Sequence, residues 1–220
     1  MVTIYEMSHS PFCIPVTRAL EALGVPFERL EVPNHDRSAV IQASGGLSYQ
    51  VPLLVHDGRP VTESSPASLD IAHYIDRTWG RGRLFPEDIG GLHLIVVEFI
   101  EDRVEDLSFK LVDPPYLRDL QDPVAQMMIV RHKERKFGRG CVDDWSNSAG
   151  NLRKELESLL GRFDSTLRHR PFLFGNRPVY ADFALYGILG NYTYRDYNVL
   201  PEAQTALASW WDRMRVFSFD

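Results

Sequence analysis

The sequence predicts a small α/β domain of the order βαβ-ββα followed by an all-helical domain. Three observations carry that reading. Residues 1–80 alternate short runs of β-branched and aromatic residues with helical patterns. Asp57-Gly58 sits between two short apolar runs, a strong hairpin signal. Beyond Gly80-Arg81-Gly82-Arg83, a linker by composition that Phe85-Pro86 closes, every clear apolar pattern has the helical period. The expected division is an α/β domain at 1–80, a linker at 81–87 and a helical domain at 88–220.

Taken in order, residues 2–7 read as a strand with no breaker. Val16, Ala19, Leu20 and Leu23 then fall at i, i+3, i+4 and i+7, one face of a helix that Gly24 ends. Pro15, taken as the fifth helical position, would clash with the preceding turn, so that helix begins near Pro15 or is kinked there. Residues 27–32 make a second strand, which completes a βαβ unit and requires a parallel pair. A polar, Gly-rich loop at 33–50 holds a short helix around 37–43. The hairpin strands are 51–56 and 60–63, and Leu69, Ala72, Ile75 and Trp79 give the inner face of the next helix. In the helical part, one apolar face is Leu92, Ile95, Val96, Phe99 and Ile100. Another is Leu152, Leu156, Leu159, Leu160, Phe163 and Leu167, and a third is Leu207, Trp210, Trp211 and Met214. Further helices are expected at 124–137 and 183–189.

Composition narrows the functional classes. A hydrophobic share of 44% with 25% charged residues suits an ordinary globular protein with a real core. The net charge of −6 argues against nucleic acid or an anionic membrane as partner. Cys13 and Cys141 make no disulfide framework and suggest a reducing compartment. The most apolar run, 92–100, is too short to span a membrane and is interrupted by Glu98. The N-terminus lacks a basic region before an apolar stretch, so a cytoplasmic protein without a secretory signal is expected. The seven histidines form no metal-like cluster, so no metal site is expected. The basic run Arg131, Lys133, Arg135 and Lys136 reads as a solvated helix face.

One stretch carries chemistry. Ser10-Pro11-Phe12-Cys13 joins the first strand to the first helix, where the helix presents unpaired N–H groups to whatever lies beside it. A thiol handled anywhere in this protein would be handled here.

The turn, a Val51-Pro52 before the hairpin and a helical second half together resemble the cytosolic glutathione transferase superfamily, over essentially the whole chain. The first half then looks like a thioredoxin fold, with Ser10 to Cys13 where glutaredoxins carry Cys-Pro-Tyr/Phe-Cys. The resemblance implies that Ser10 acts on the glutathione sulfur, with Phe12 and Cys13 beside it. A free thiol of pKa near ~8.5 is only a few per cent thiolate at pH 7. A hydroxyl donor and a positive helix end favour the anion, and a shift of about two units corresponds to ~2.7 kcal/mol. Ser10 also has the type and place of a helix cap, and both readings stand. Serine cannot form a mixed disulfide, which argues against disulfide exchange at Ser10. Cys13 reads as a buried small residue, with contact to the glutathione sulfur as the alternative.

By the same resemblance Pro52 is cis and Val51 pairs its backbone with the cysteine part of glutathione, like an added strand. An acidic residue and a serine at the third helix should hold the γ-glutamyl end. Glu63-Ser64 has the spacing, with Ser65 as cap and Pro66 in the first turn; Ser68, preceded by Ala67, fits the alternative register. The family's capping box before the core helix of the second domain is half present, with Asp182 kept and Val179 in place of the hydroxyl residue. His9 adjoins the turn and reads as exposed. Phe109 and Tyr116 are candidates for an electrophile pocket or for core. The implied protein is a detoxifying homodimeric transferase that conjugates glutathione, a substrate and not a permanent cofactor, to a small hydrophobic electrophile. A glutathione-dependent isomerase and a non-catalytic protein-binding scaffold are the alternatives.

Overall fold

The computed structural model describes residues 1–65 and 68–220. β1 (Val2–Glu6) buries alternate residues. It pairs in parallel with β2 (Phe27–Glu31) and antiparallel with β3 (Leu53–His56), which pairs antiparallel with β4 (Arg59–Val61). The strand order is β2-β1-β3-β4. α1 (Cys13–Ala22) crosses between β1 and β2, and α2 (Ser38–Ala43) occupies the loop after β2. α3 (Asp70–Ile75) runs on into a wide, π-type turn at Asp76–Gly80. The expected βαβ-ββα order is therefore present, with the strands trimmed by a residue or two at their ends.

The Asp76 carboxylate organises the chain beyond that turn, accepting the N–H groups of Leu84 at 3.0 Å and Phe85 at 3.3 Å. Leu84 is fully buried and its carbonyl accepts the N–H of Tyr180 at 2.9 Å. The residues expected as a linker are thus tied to both halves. One apolar core runs through Ile4, Leu20, Leu54 and Ile75 of the first half and Leu160, Phe183 and Trp210 of the second.

The helical half comprises α4 (Gly90–Phe99), α5 (Glu105–Asp119), α6 (Pro123–Phe137), α7 (Cys141–Leu167), α8 (Tyr180–Tyr192) and α9 (Thr205–Val216). A second wide turn, Ile100–Val104, joins α4 to α5 without a break. Two findings differ from the sequence reading. α5 is not among the helices expected, and Pro114-Pro115 lies inside it; burial of Leu107, Leu111, Val112 and Leu117 offsets the backbone hydrogen bonds lost there. On α4, Leu92 and Ile95 are exposed while His93 and Val97 face the core. Residues 94–97 are all apolar, so periodicity does not single out one face of that helix. Among the described residues no helix is long and apolar enough to cross a membrane.

The start of α8 shows how the half-intact capping box is completed. Val179 has no side-chain acceptor. Asp182 Oδ2 instead accepts the N–H of Val179 at 3.1 Å, and Oδ1 accepts Leu173 N–H and Trp210 Nε1–H, each at 2.9 Å. The free N–H of Ala181 donates to Nε2 of His93 at 2.9 Å, a partner 88 positions away. Burial pushes the Asp182 carboxyl up to about 6, against those hydrogen bonds. Burial pushes the His93 imidazole down to about 4.

That last shift predicts a pH dependence. In the unfolded chain the imidazole titrates near ~6.5, so between there and about 4 the unfolded state holds a proton the folded state lacks. The contribution of His93 is complete above pH ~6.5 and is lost as pH falls, by about 2–3 kcal/mol at pH ~4.5. His93→Gln keeps an acceptor that does not titrate. Urea unfolding should show a smaller loss between neutral and acid pH in that variant; equal losses in both proteins would contradict the assignment.

Candidate functional site

The Ser10 turn is built by backbone hydrogen bonds. Ser10 N–H donates to the Met7 carbonyl at 2.8 Å, and the Ser10 carbonyl accepts the N–H groups of Cys13 and Ile14, each at 3.1 Å. Its Oγ accepts the N–H of Phe12 at 3.3 Å. Ser10 thus satisfies donors at the start of α1, as a cap does. Pro15 is the third residue of α1, not the fifth, and sits where a backbone N–H has no partner within the helix. No kink is needed.

The turn rests on α8. A Cβ on Gly187 would lie 2.6 Å from the Pro11 carbonyl oxygen and closer still to Pro15 Cδ, so only glycine permits this approach. One helical turn on, Asn191 Nδ2 donates to the His9 carbonyl at 2.7 Å. The His9 ring lies between Tyr116 at 4.9 Å and Tyr194 at 5.0 Å. It is half-buried rather than exposed, and burial lowers its pKa.

Ser10 and Phe12 line a cleft of about 390 Å³ with Arg37, Glu105, Phe109 and Tyr116. Ser10 is only 4% exposed, whereas Phe12 is 40% exposed. The Ser10 hydroxyl accepts from Phe12 and lies within hydrogen-bond reach of the Cys13 side chain beside it. Arg37 lies just before α2, with Nη2 at 3.2 Å from Asn34 Oδ1 and 3.4 Å from Met7 Sδ. Its Nη1 is buried and has no partner among the described residues. A desolvated guanidinium with an unused N–H is a ready anion site. Phe109 proves to be both core and cleft wall.

Cys13 is fully buried and does not line this cleft. Burial pushes its thiol up to about 12, outweighing the hydrogen bond with Ser10. It is a packed, protonated residue at neutral pH.

The Val51–Pro52 peptide bond is cis, with Pro52 buried and Val51 half-buried. Among the described residues the backbone of Val51 makes no hydrogen bond. Glu63, Ser64 and Ser68 stand together away from the cleft lining. Glu63 Oε2 accepts the Ser68 hydroxyl and the Asp70 N–H, each at 2.7 Å, and Oε1 accepts Ile71 N–H at 3.3 Å. Ser64 N–H donates to Ser68 Oγ at 2.9 Å and Asp70 Oδ2 at 2.8 Å. Both registers considered from the sequence therefore meet in one network. α3 opens at Asp70, capped by Glu63 instead of Ser65; Pro66 and Ala67 lie outside the described residues. Burial raises the Glu63 carboxyl, while Ser64 lowers that of Asp70. This end of the site is acidic and its helix donors are already taken.

Sequence reasoning missed Arg37, Gly187, Asn191 and Glu105. Gly187 and Asn191 stand at i and i+4, on one helical face, but nothing local says what that face meets.

Both halves of the chain have counterparts among known proteins. Residues 4–81 match the family model of the glutathione S-transferase N-terminal domain, and 125–215 that of the C-terminal domain. A probable glutathione S-transferase of Oryza sativa subsp. japonica is 30% identical over 216 residues, 94% of this chain and 80% of its own. One from Nicotiana tabacum is 32% identical over 178 residues, 80% of this chain and 64% of its own. Among solved structures, a Ceriporiopsis subvermispora glutathione S-transferase in complex with glutathione superposes with a TM-score of 0.78 at 17% identity, covering 98% of each chain. Glutaredoxin 2 of Salmonella typhimurium, also in complex with glutathione, gives 0.73 at 23% identity, covering 97% of this chain and 93% of its own.

The seat on α8 gives a prediction of unusual sign. Replacing a mid-helix glycine by alanine ordinarily stabilises by about 1 kcal/mol. Gly187→Ala should instead destabilise, by about 1–3 kcal/mol, because its Cβ overlaps Pro11 and Pro15. Urea denaturation reads the sign; a more stable variant would show that the turn does not rest on this glycine.

Proposed function

Because the chain belongs to the glutathione S-transferase family, we propose that it binds glutathione at the Ser10 turn and transfers the thiolate to a small apolar electrophile. The observation that carries this reading is the placement of Ser10, a hydroxyl at the start of α1, in one cleft with Arg37, whose Nη1 has no partner among the described residues.

Glutathione offers a thiol, an ammonium and two carboxylates, and the residues divide accordingly. The Ser10 hydroxyl donates to the sulfur, and the positive end of α1 adds to the stabilisation of the anion. Arg37 takes the glycine carboxylate. The unpaired backbone of Val51, set by cis-Pro52, pairs with the cysteine residue as an added strand. Glu63 and Asp70 hold the ammonium of the γ-glutamyl end, while Ser64 or Ser68 donates to its carboxylate. Phe12 covers the bound peptide, and Cys13 packs beneath the turn without entering the chemistry. Phe109, Val112 and Ile129 give the electrophile an apolar wall. The thiolate then attacks carbon with its electron pair, aided by proximity and by a high thiolate fraction at neutral pH.

Ultraviolet titration of bound glutathione tests the assignment. The wild-type complex should ionise about two units below the free thiol, and Ser10→Ala should recover at least about one unit and lose roughly tenfold in kcat with chlorodinitrobenzene. Arg37→Ala should weaken glutathione binding by about tenfold or more, the loss of a charge-assisted hydrogen bond. An unchanged thiol pKa and turnover in Ser10→Ala would remove that residue from the reaction.

The proposal includes a homodimer. Leu92 and Ile95 of α4 are 68% and 62% exposed, an apolar pair that a second copy would cover. Light scattering should give twice the chain mass of 25.2 kDa. The double variant Leu92→Lys, Ile95→Lys should give a single chain; a monomeric wild type would refute the assembly.

A further inference from the structure

Glu105 opens α5 directly after the wide turn Ile100–Val104, and its side chain lines the same cleft as Ser10. The other carboxylate of that wall, Asp113, pairs with Lys133 of α6 at 2.6 Å, and Lys133 Nζ lies 4.4 Å from the Phe109 ring centre. Lys133, a cation whose field reaches Glu105, is therefore engaged elsewhere. Among the described residues the Glu105 carboxyl makes neither a hydrogen bond nor an ion pair. A half-buried carboxyl with no hydrogen-bond or ion-pair partner favours its neutral, proton-carrying form.

Reactions of a thiolate with carbon electrophiles differ in their need for a proton. Displacement of chloride from an aromatic ring releases a stable anion and needs none. Addition to a carbon–carbon double bond conjugated with a carbonyl does: the sulfur bonds to the β-carbon, the π pair moves toward the carbonyl, and the resulting enolate must be protonated. We propose that Glu105 is the proton donor for such additions in this cleft. This rests on the assignment of the thiolate to the Ser10 turn.

The step balances. The glutathione thiol gives its proton to solvent on binding. The Glu105 carboxyl transfers its proton to the α-carbon of the enolate, becomes a carboxylate, and takes a proton from water before the next turnover. The net change is thiol plus enone to thioether. Phe109, Val112 and Ile129 receive the apolar part of the substrate. The charged surroundings support this use of Glu105. Burial raises its pKa to about 7, Asp113 and Asp106 of α5 reinforce the rise, and Lys133 and Lys136 of α6 oppose it. His132 of α6, which also lines the cleft, is held toward its neutral form by burial and by those lysines. An acid that titrates near the working pH is well matched to proton transfer.

The test compares cinnamaldehyde, which needs the proton, with chlorodinitrobenzene, which does not, in the full-length protein with glutathione. Glu105→Gln should lower the ratio of kcat/KM for cinnamaldehyde over chlorodinitrobenzene by at least about tenfold, and by ~100-fold for a donor of ordinary efficiency. In the wild type, kcat for the addition should fall as pH rises through about 7, where Glu105 loses its proton, and Glu105→Gln should lack that limb. The ratio is insensitive to a general loss of folded protein. An unchanged ratio, or an alkaline limb that persists in Glu105→Gln, would overturn the proposal. So would a fall in the ratio for Tyr116→Phe and not for Glu105→Gln, which would make Tyr116 the donor. A wild type inactive toward chlorodinitrobenzene and unable to bind glutathione would sink the transferase reading itself. Activity there with an addition indifferent to Glu105 would sink this inference alone.

Discussion

The close approach of the Ser10 turn to α8 is the constraint on which the rest of the site depends. Pro11 and Pro15 lie where the Cβ of any other residue at 187 would stand, and Asn191 holds the His9 carbonyl oxygen from the same helix face. α8 is itself fixed by buried polar contacts: Asp182 serves Leu173, Val179 and Trp210, and His93 serves Ala181. A displacement at the start of α8 would leave buried N–H groups without acceptors, which is costly. The position of Ser10 is therefore inherited from hydrogen bonds made in the other half of the chain. This explains why a turn in the α/β half needs the helical half to be placed at all.

The electrostatic layout follows the same division. The wall formed by the turn and the start of α2 carries hydrogen-bond donors and a guanidinium with an unused N–H. The start of α3 carries two carboxylates whose oxygens already collect the local N–H donors. A ligand spanning both would place an anion at the first and a cation at the second. Leaving Arg37 Nη1 desolvated and unpaired is unfavourable for the folded protein, and among the described residues no acceptor offsets that cost. An anion arriving from outside the chain would offset it, so binding is the simpler account of the arrangement.

What could be read from the sequence was local. The strands, the Asp57-Gly58 hairpin and the long amphipathic helices declare themselves through spacing and turn chemistry, and they appear where expected. α5 is not among the helices expected; it carries Pro114-Pro115, and burial against other helices holds it together. The inward face of α4 was misread because its apolar residues follow one another without a polar face to contrast. In the site, Ser10, Cys13 and Pro52 lie in short recognisable strings. Arg37, Gly187, Asn191 and His93 do not, since each matters through a partner distant in the chain, and no periodicity encodes such a pair. The Glu63 network shows a third case: both candidate serines belong to it, so a choice between registers was a choice between two members of one arrangement.

The geometry gives Ser10 the duties of a cap, and donation to a bound sulfur would be a second use of the same side chain. Its carbonyl accepts from Cys13 and Ile14 and its Oγ accepts from Phe12, which are the duties of a cap. None of them uses the hydroxyl proton. A cysteine in that place would offer a weaker acceptor to the Phe12 N–H and a thiol able to enter disulfide exchange. Serine closes the helix, and its hydroxyl proton lies between the buried, protonated Cys13 thiol and the cleft. Sulfur chemistry at this turn, if a thiol reacts here, would use a bound thiol rather than one of the chain. That requirement is what makes an anion-binding arginine in the same wall informative, because a thiol held there has to be carried by a molecule with its own charges to grip.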